Sequence, residues 1–273
     1  MAGRGGSVRE PRGLILPAWA YYLLFFVAPM LIIIPYALAH REGFFDITFG
    51  FDTENLRKLW DPVYIRIYRD TLIYAALGTV GCLLIGYPFA YWLGTRVTKH
   101  KTLLLLLVIV PFWTSILIRT QAWSLILDRF GILGTDTAVF IGLVYDYLPL
   151  MIFPLYVSIE RMDRRLVEAS RDLGESAWGS FRKVTVPMTM PGIMTGCLLV
   201  FVPMTGEYVV PTILGQGLGR WFGPIAADQF LSALNYPFGA AMSLVMIVFL
   251  MIVIFLYLRA LGGRAEENLG AAV

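Results

Sequence analysis

The stretch EASRDLGESAWGSFRKVTVP, Glu168 to Pro187, is crowded with charge and lies between two long apolar runs. Leu166, Ala169, Leu173, Ala177 and Phe181 recur every three or four residues, the spacing of an apolar stripe along a helix. Arg164, Glu168, Arg171, Asp172 and Glu175 fill the other faces, with Arg164 and Glu168 four apart, where side chains on a helix meet. Gly174 then interrupts the pattern, and glycine takes the left-handed conformation that ends helices at little steric cost. Ser176 follows as an N-cap for a second helix running toward Val186. Pro187 predicts a break, where the chain turns into the next apolar run. The product is helix, sharp bend, helix. Periodicity alone leaves two readings open: a helix lying in the lipid interface, or a stiff two-faced knob offered to a partner.

Composition decides what surrounds that stretch. The 273 residues are 58% hydrophobic and only 15% charged, with a mean hydropathy of +0.70. Soluble domains are about 45–50% apolar and about 25% charged, so this is an all-α polytopic membrane protein. A net charge of +3 without a basic cluster among aromatics argues against a nucleic-acid partner. Cys82 and Cys197 both fall inside apolar runs and read as buried free thiols. His40 and His100 are far apart, and along the sequence no His, Cys and carboxylate set has metal-ligand spacing, so no metal site is expected.

Six runs approach the roughly 20 apolar residues a span needs: Leu14–Ala39, Thr71–Leu93, Thr102–Ile118, Thr137–Ile159, Gly192–Leu214 and Phe238–Leu258. The first follows Arg4, Arg9 and Arg12 but exceeds the 7–15 residues of a signal core, so it is read as a retained span. Of the Lys and Arg residues, 14 flank one side of these spans and 8 the other, and the richer side is expected in the cytoplasm. Residues 1–13 and 259–273 are then cytoplasmic tails, 14–39 a first transmembrane arm, 40–70 an external segment, and 71–258 a core of five spans that includes a cytoplasmic loop, 160–187. In the external segment Phe51, Leu56, Leu59, Trp60 and Tyr64 predict a short amphipathic helix, and Asp61-Pro62 a break or a helix start. No internal repeat is visible, which counts against a secondary transporter built from inverted repeats.

Glu168-Ala169-Ser170, three residues, Gly174, nine residues, Val184, one residue, Val186-Pro187 resembles the signature loop of the permease subunits of ABC importers, Glu-Ala-Ala, three, Gly, nine, Ile, one, Leu-Pro. Ser170, Val184 and Val186 are mild departures. VPFWTSILIRTQAW (110–123), LPLMIFPLYVSIERMD (148–163), EYVVPTILG (207–215) and NYPFGAA (235–241) look like the B-type permeases of spermidine/putrescine importers, although permeases for iron, thiamine and other small solutes share some of this wording. The resemblance implies a type-1 importer permease fold, docking of Glu168, Ala169, Ser170, Gly174, Val184 and Pro187 on a separate ATPase subunit dimer that uses ATP and Mg, a second permease chain, and an extracytoplasmic solute-binding protein. This chain has no Gly-x-x-x-x-Gly-Lys-Ser/Thr segment, and no cofactor of its own is expected.

A polyamine path calls for carboxylates and aromatic faces. Glu207 and Asp146 fall inside apolar runs, with Tyr145, Tyr147 and Tyr208 beside them. An ionisable residue at a span's centre costs about 2.5–3.5 kcal/mol on insertion scales and therefore faces a bundle interior. Glu207 and Tyr208, then Asp146, then Trp113 are the pathway candidates; a plain bundle hydrogen bond or a place near the external interface for Glu207, and plain packing for Trp113, are the alternatives. GQGLG, 215–219, is read as a flexible external loop rather than a nucleotide fingerprint. Spans with scattered Ser and Thr, no His and two lone acids offer no catalytic constellation, so no catalytic residue is expected.

Overall fold

The computed structural model describes residues 16–43 and 46–270, with side chains of 260–270 left aside; the tail 1–13 and the expected start of the first span at Leu14 lie outside the described residues. Two compact units divide the chain. One takes the described residues up to Trp60 together with Gln229–Val248; the other takes Asp61–Asp228 and the described residues from Phe249 onward.

In the first unit, α1 (Leu16–Tyr22) and α2 (Ala28–Ala37) are joined by a π turn, Leu23–Val27. Their apolar side chains, Trp19 to Ile34, are mostly exposed, as lipid-facing residues are. The fold is not purely helical: β1 (His40–Arg41) pairs antiparallel with β2 (Ile47–Thr48). The amphipathic helix expected over 51–64 shrinks to α3 (Glu54–Lys58). Phe51 precedes it, and Pro62 opens the next helix, because Asp61 caps it by accepting from Val63 N. Asn55 is buried and donates to the Ala39 carbonyl at 2.9 Å, which ties α3 back to the end of the arm.

The second unit is built on α4 (Pro62–Thr95), α7 (Asp136–Glu160) and α10 (Val186–Thr205), which pack side by side. Leu93, Leu143, Met151, Leu155, Ile159, Val200 and Met204 are fully buried among them. Close approach rests on small residues: a Cβ at Gly192 would collide with Ser158 Cβ and lie 2.6 Å from the Pro154 carbonyl, and one at Gly196 would lie 2.7 Å from Met151 Sδ. Gly192 and Gly196 are four apart, the spacing that lets one span's backbone settle onto another. Tyr87 OH and Thr189 Oγ1, 2.9 Å apart, pin α4 to α10.

Three expected spans need correction. The second is longer than 71–93, since α4 starts at Pro62. The third is not one run over 102–118: α5 (Lys101–Ile109) and a 3-10 turn (Val110–Trp113) are separated from α6 (Ile116–Arg129) by a 92° bend. Pro111 and the extended backbone at Thr114 and Ser115 account for the break. The fifth stops at Thr205 rather than running to Leu214; Gly206-Glu207-Tyr208 is non-helical, and α11 (Val209–Gly215) follows. α12 (Phe222–Leu231) and α13 (Tyr236–Gly270) complete the chain.

Candidate functional site: a pinned carboxylate and a charged helical bend

Glu207 sits in the break between α10 and α11 instead of within a span, and every part of it is held. Oε2 accepts from Tyr147 OH at 2.6 Å, and Oε1 accepts from the Val209 backbone N at 2.9 Å. Its backbone is backed by the start of α12, where only a glycine fits: a Cβ on Gly223 would overlap the Glu207 carbonyl. α12 is itself fixed to α4, because Phe222 N donates to Thr71 Oγ1 at 2.8 Å. A part-buried carboxylate with one donor on each oxygen keeps its remaining lone pairs for a cation.

Asp146 and Glu207 are not brought together by a direct hydrogen bond. Asp146, 4% exposed, faces Arg119 on α6, with Arg119 Nε at 3.4 Å from Asp146 Oδ1. The alignment is not that of a hydrogen bond, so the attraction is Coulombic. The guanidinium also lies over the Phe112 ring, 5.7 Å from its centroid. The Lys and Arg distribution places Arg119 among the external charges; its neutralising role is not legible in the sequence, because Asp146 lies on another helix. Tyr208 is half exposed, and Trp113 is 78% exposed at the bend.

The stretch 160–187 folds as helix, bend, helix. Asp163 caps α8 (Arg164–Asp172) by accepting from Arg165 N at 3.0 Å. Gly174 has φ +91°, and Ser176 caps α9 (Ala177–Ser180) by accepting from Gly179 N at 3.0 Å. Leu173 and Trp178 flank the bend at 88% and 70% exposure, an apolar pair left uncovered. Glu168, Ala169, Ser170 and Gly174 lie on or at the end of α8. Pro187 does not turn the chain. A π turn, Phe181–Thr185, widens the helix just before it, with Val186 N bonding to Phe181 O. The helix therefore runs on from Ala177 to Thr205, the wider turn accommodating the ring that would otherwise crowd a preceding carbonyl. Val184 lies in that π turn.

The absence of metal-ligand spacing along the sequence does not carry over into space. His40 Nδ1 is 2.8 Å from Asp52 Oδ2 and 3.9 Å from Glu54 Oε2, and the three donors lie within 4.8 Å of one another. All three are at least partly exposed, and Lys58 already neutralises Glu54 at 3.0 Å, which makes this an ion-pair cluster. Glu54 N–H and His40 together hold the Asp52 carboxyl below the usual carboxylate range.

The chain belongs to the family described as binding-protein-dependent transport system inner membrane component, whose profile matches residues 83–266. It is 39% identical over 257 residues to the spermidine/putrescine transport system permease protein PotB of Haemophilus influenzae, covering 88% of this chain and 90% of that one. To the protein of the same description from Escherichia coli it is 37% identical over 264 residues, 90% and 96% of the two chains. A chain of a bacterial alginate ABC importer matches with TM-score 0.65 at 19% identity over 90% of this chain and 94% of that one. A chain of the MetNI methionine ABC transporter matches with TM-score 0.56 at 20% identity over 78% and 97%. The fold is thus that of ABC importer permeases, and the chain is a multi-pass transporter component of the inner membrane.

Proposed function

We propose that this chain forms half of the translocation path of an ATP-driven importer for polyamines such as spermidine and putrescine. Glu207 is the carboxylate that meets a passing ammonium. The observation that carries the reading is its fixation: both oxygens are oriented by Tyr147 OH and Val209 N at a break in the fifth span. An acceptor already oriented and partly dehydrated gains more from an arriving cation than a mobile one, because little ordering remains to be done. The exposed Tyr208 offers an aromatic face beside it. Asp146 is occupied by Arg119 and contributes no net charge to the path. Relatives described as spermidine/putrescine permeases, at 37–39% identity over 88–90% of the chain, support the same cargo class.

Energy comes from outside the chain. The bend at Gly174, with Glu168, Ala169 and Ser170 on α8, is the docking surface for a separate ATPase dimer that binds the ATP and Mg. Both termini and the bend face the cytoplasm in this reading, which the Lys and Arg distribution supports. A second, different permease chain supplies the other half of the path, and an extracytoplasmic binding protein delivers the cargo. A relative in fold is known in complex with an alginate-loaded periplasmic protein.

The test is uptake of labelled spermidine and putrescine by cells expressing this chain with its partner subunits, with unlabelled thiamine and ferric iron as competitors. Saturable uptake displaced only by polyamines is expected. Failure of both polyamines, with the ATPase still bound to the complex, removes the cargo and leaves the transporter class.

A further inference from the structure

At the end of α4, Gly94 and Thr95 carry carbonyls that no later helical N–H can reach. Both are met by one side chain from the neighbouring loop. Arg164 Nη2 donates to the Gly94 carbonyl at 2.5 Å, and Nη1 donates to the Thr95 carbonyl at 2.9 Å. A guanidinium at the negative end of a 34-residue helix is also favoured by the aligned peptide dipoles. Arg164 is the first residue of α8, whose own start is fixed by the Asp163 cap. The junction beneath is tight: a Cβ on Gly94 would lie 2.8 Å from Ile159 Cγ2, so the ends of α4 and α7 leave no slack.

The same helix reaches the carboxylate. From Thr95 to Thr71 α4 stays helical through Pro88, roughly 36 Å at about 1.5 Å per residue. At Thr71 the side-chain hydroxyl accepts from Phe222 N, and the next residue, Gly223, presses on the Glu207 backbone. One continuous helix therefore touches the charged bend at one end and the floor under Glu207 at the other.

We propose that Arg164 is a positioning residue that fastens α8 to α4, making α4 the rod that carries motion of the bend to the Glu207 break. The proposal rests on the reading of the bend as the ATPase docking surface. Arg164 does not itself touch the ATPase or cargo in this scheme. Its fork geometry matters, since a lysine ammonium reaches one carbonyl as a point charge and does not hold two in a fixed plane.

The experiment uses the assembled transporter, with this chain, its partner permease, the ATPase and the binding protein. Cys82 and Cys197 are replaced by Ala, and nitroxides are placed at Arg96→Cys and Arg171→Cys, on the ends of α4 and α8. With Arg164 intact, the interlabel distance is single and narrow and does not change on ATP addition. In Arg164→Gln it broadens and shifts with ATP. Uptake per ATP hydrolysed falls about tenfold, the equivalent of one lost charge-assisted bond, while the ATPase stays bound and hydrolyses. Arg164→Lys recovers part of the uptake, and it carries the test if Arg164→Gln does not assemble. Thr71→Val, at the far end, lowers the same ratio and leaves the label distance narrow. An unchanged distance together with unchanged uptake per ATP in Arg164→Gln overturns the tether. Docking is tested apart from it: if Glu168→Ala with Gly174→Pro leaves the ATPase bound, the docking reading falls, whatever the label distance shows.

Discussion

Changing Glu207 to Gln removes one negative charge from the break and almost nothing else. The amide oxygen can still accept from Val209 N, and the amide nitrogen can donate to the Tyr147 hydroxyl, so both ties survive in altered form. What goes is the attraction for an ammonium. At about 4 Å this is worth about 1 kcal/mol in a water-like medium and about 4 kcal/mol at an effective dielectric of 20. Glu207 is part-buried, so about 2 kcal/mol is the working figure, which is roughly a 30-fold change in affinity. The KM for spermidine uptake is expected to rise by that order, with the amount of assembled complex unchanged. Tyr147→Phe keeps the charge but frees one oxygen to rotate. Its effect on KM should be smaller, roughly threefold to tenfold, because a bond to a charged group is lost but the charge is not. Labelled-uptake kinetics on the two variants and the parent decide the matter. Parental KM and maximal rate in Glu207→Gln would refute the pathway role and return Glu207 to a plain structural tie between α7 and α11.

Three further outcomes follow from the geometry. Gly192→Val drives side-chain atoms into Ser158 and the Pro154 carbonyl; overpacking of this kind costs about 1–3 kcal/mol, so the purified protein should melt several degrees lower, whereas Gly50→Ala, with nothing within 4 Å of its Cβ, should melt unchanged. Gly174→Ala meets no neighbour but must adopt φ +91°; the strain of about 1 kcal/mol falls on the bend alone, so ATPase association should weaken in pull-down while thermal stability of the bundle holds. The Asp52 carboxyl titrates below its ordinary range, so its ties to Glu54 N–H and His40 stabilise the external segment above the usual carboxylate pKa and are lost as pH falls through the lowered value; amide protection factors over 46–58, corrected for the intrinsic pH dependence of exchange, should hold near neutrality and drop only in acid, and in Asp52→Asn that acid-triggered drop should disappear.

The parts of this fold that were legible in the sequence are those set by local pattern. The stripe from Leu166 to Phe181 and the cap at Ser176 depend on neighbours within a few residues, and Gly174 takes the positive φ its position called for; the cap at Asp163 is a local feature that the pattern did not single out. Interruptions of apolar runs were much less readable. PFWTS and GEYVV are hydrophobic enough to pass as span interior, and hydropathy does not register whether a backbone N–H is used within a helix. The run 102–118 did not show the 92° bend after Pro111, beyond which α6 packs on α11. Pro187 misled in the other direction: its missing N–H is accommodated by a π turn, a choice that depends on Phe181 packing edge-on against Tyr87 and Tyr91 of α4. Arg119 and Thr71 carried no sequence signal at all, since their partners are 27 and 151 residues away.

The position of Glu207 just past the end of α10 bears on the proposed function. On an unbroken span, a carboxylate would have to take all its partners from other helices, and any backbone N–H nearby would already be bonded to its own helix. Ending α10 at Thr205 releases the N–H of Val209, which then orients one carboxylate oxygen while α7 supplies Tyr147 for the other. The break follows directly on the end of the candidate span at Thr205; Gly223 backs its floor, and the half-exposed Tyr208 marks its open side. A continuous fifth span would therefore hide its acid, whereas this broken one presents it. Closing the break is the corresponding test. Gly206→Ala with Tyr208→Leu raises helix propensity through the gap by about 1 kcal/mol; if Glu207 works from the break, polyamine uptake should fall although every charged residue remains in place, and unimpaired uptake in that variant would mean that the acid acts without it.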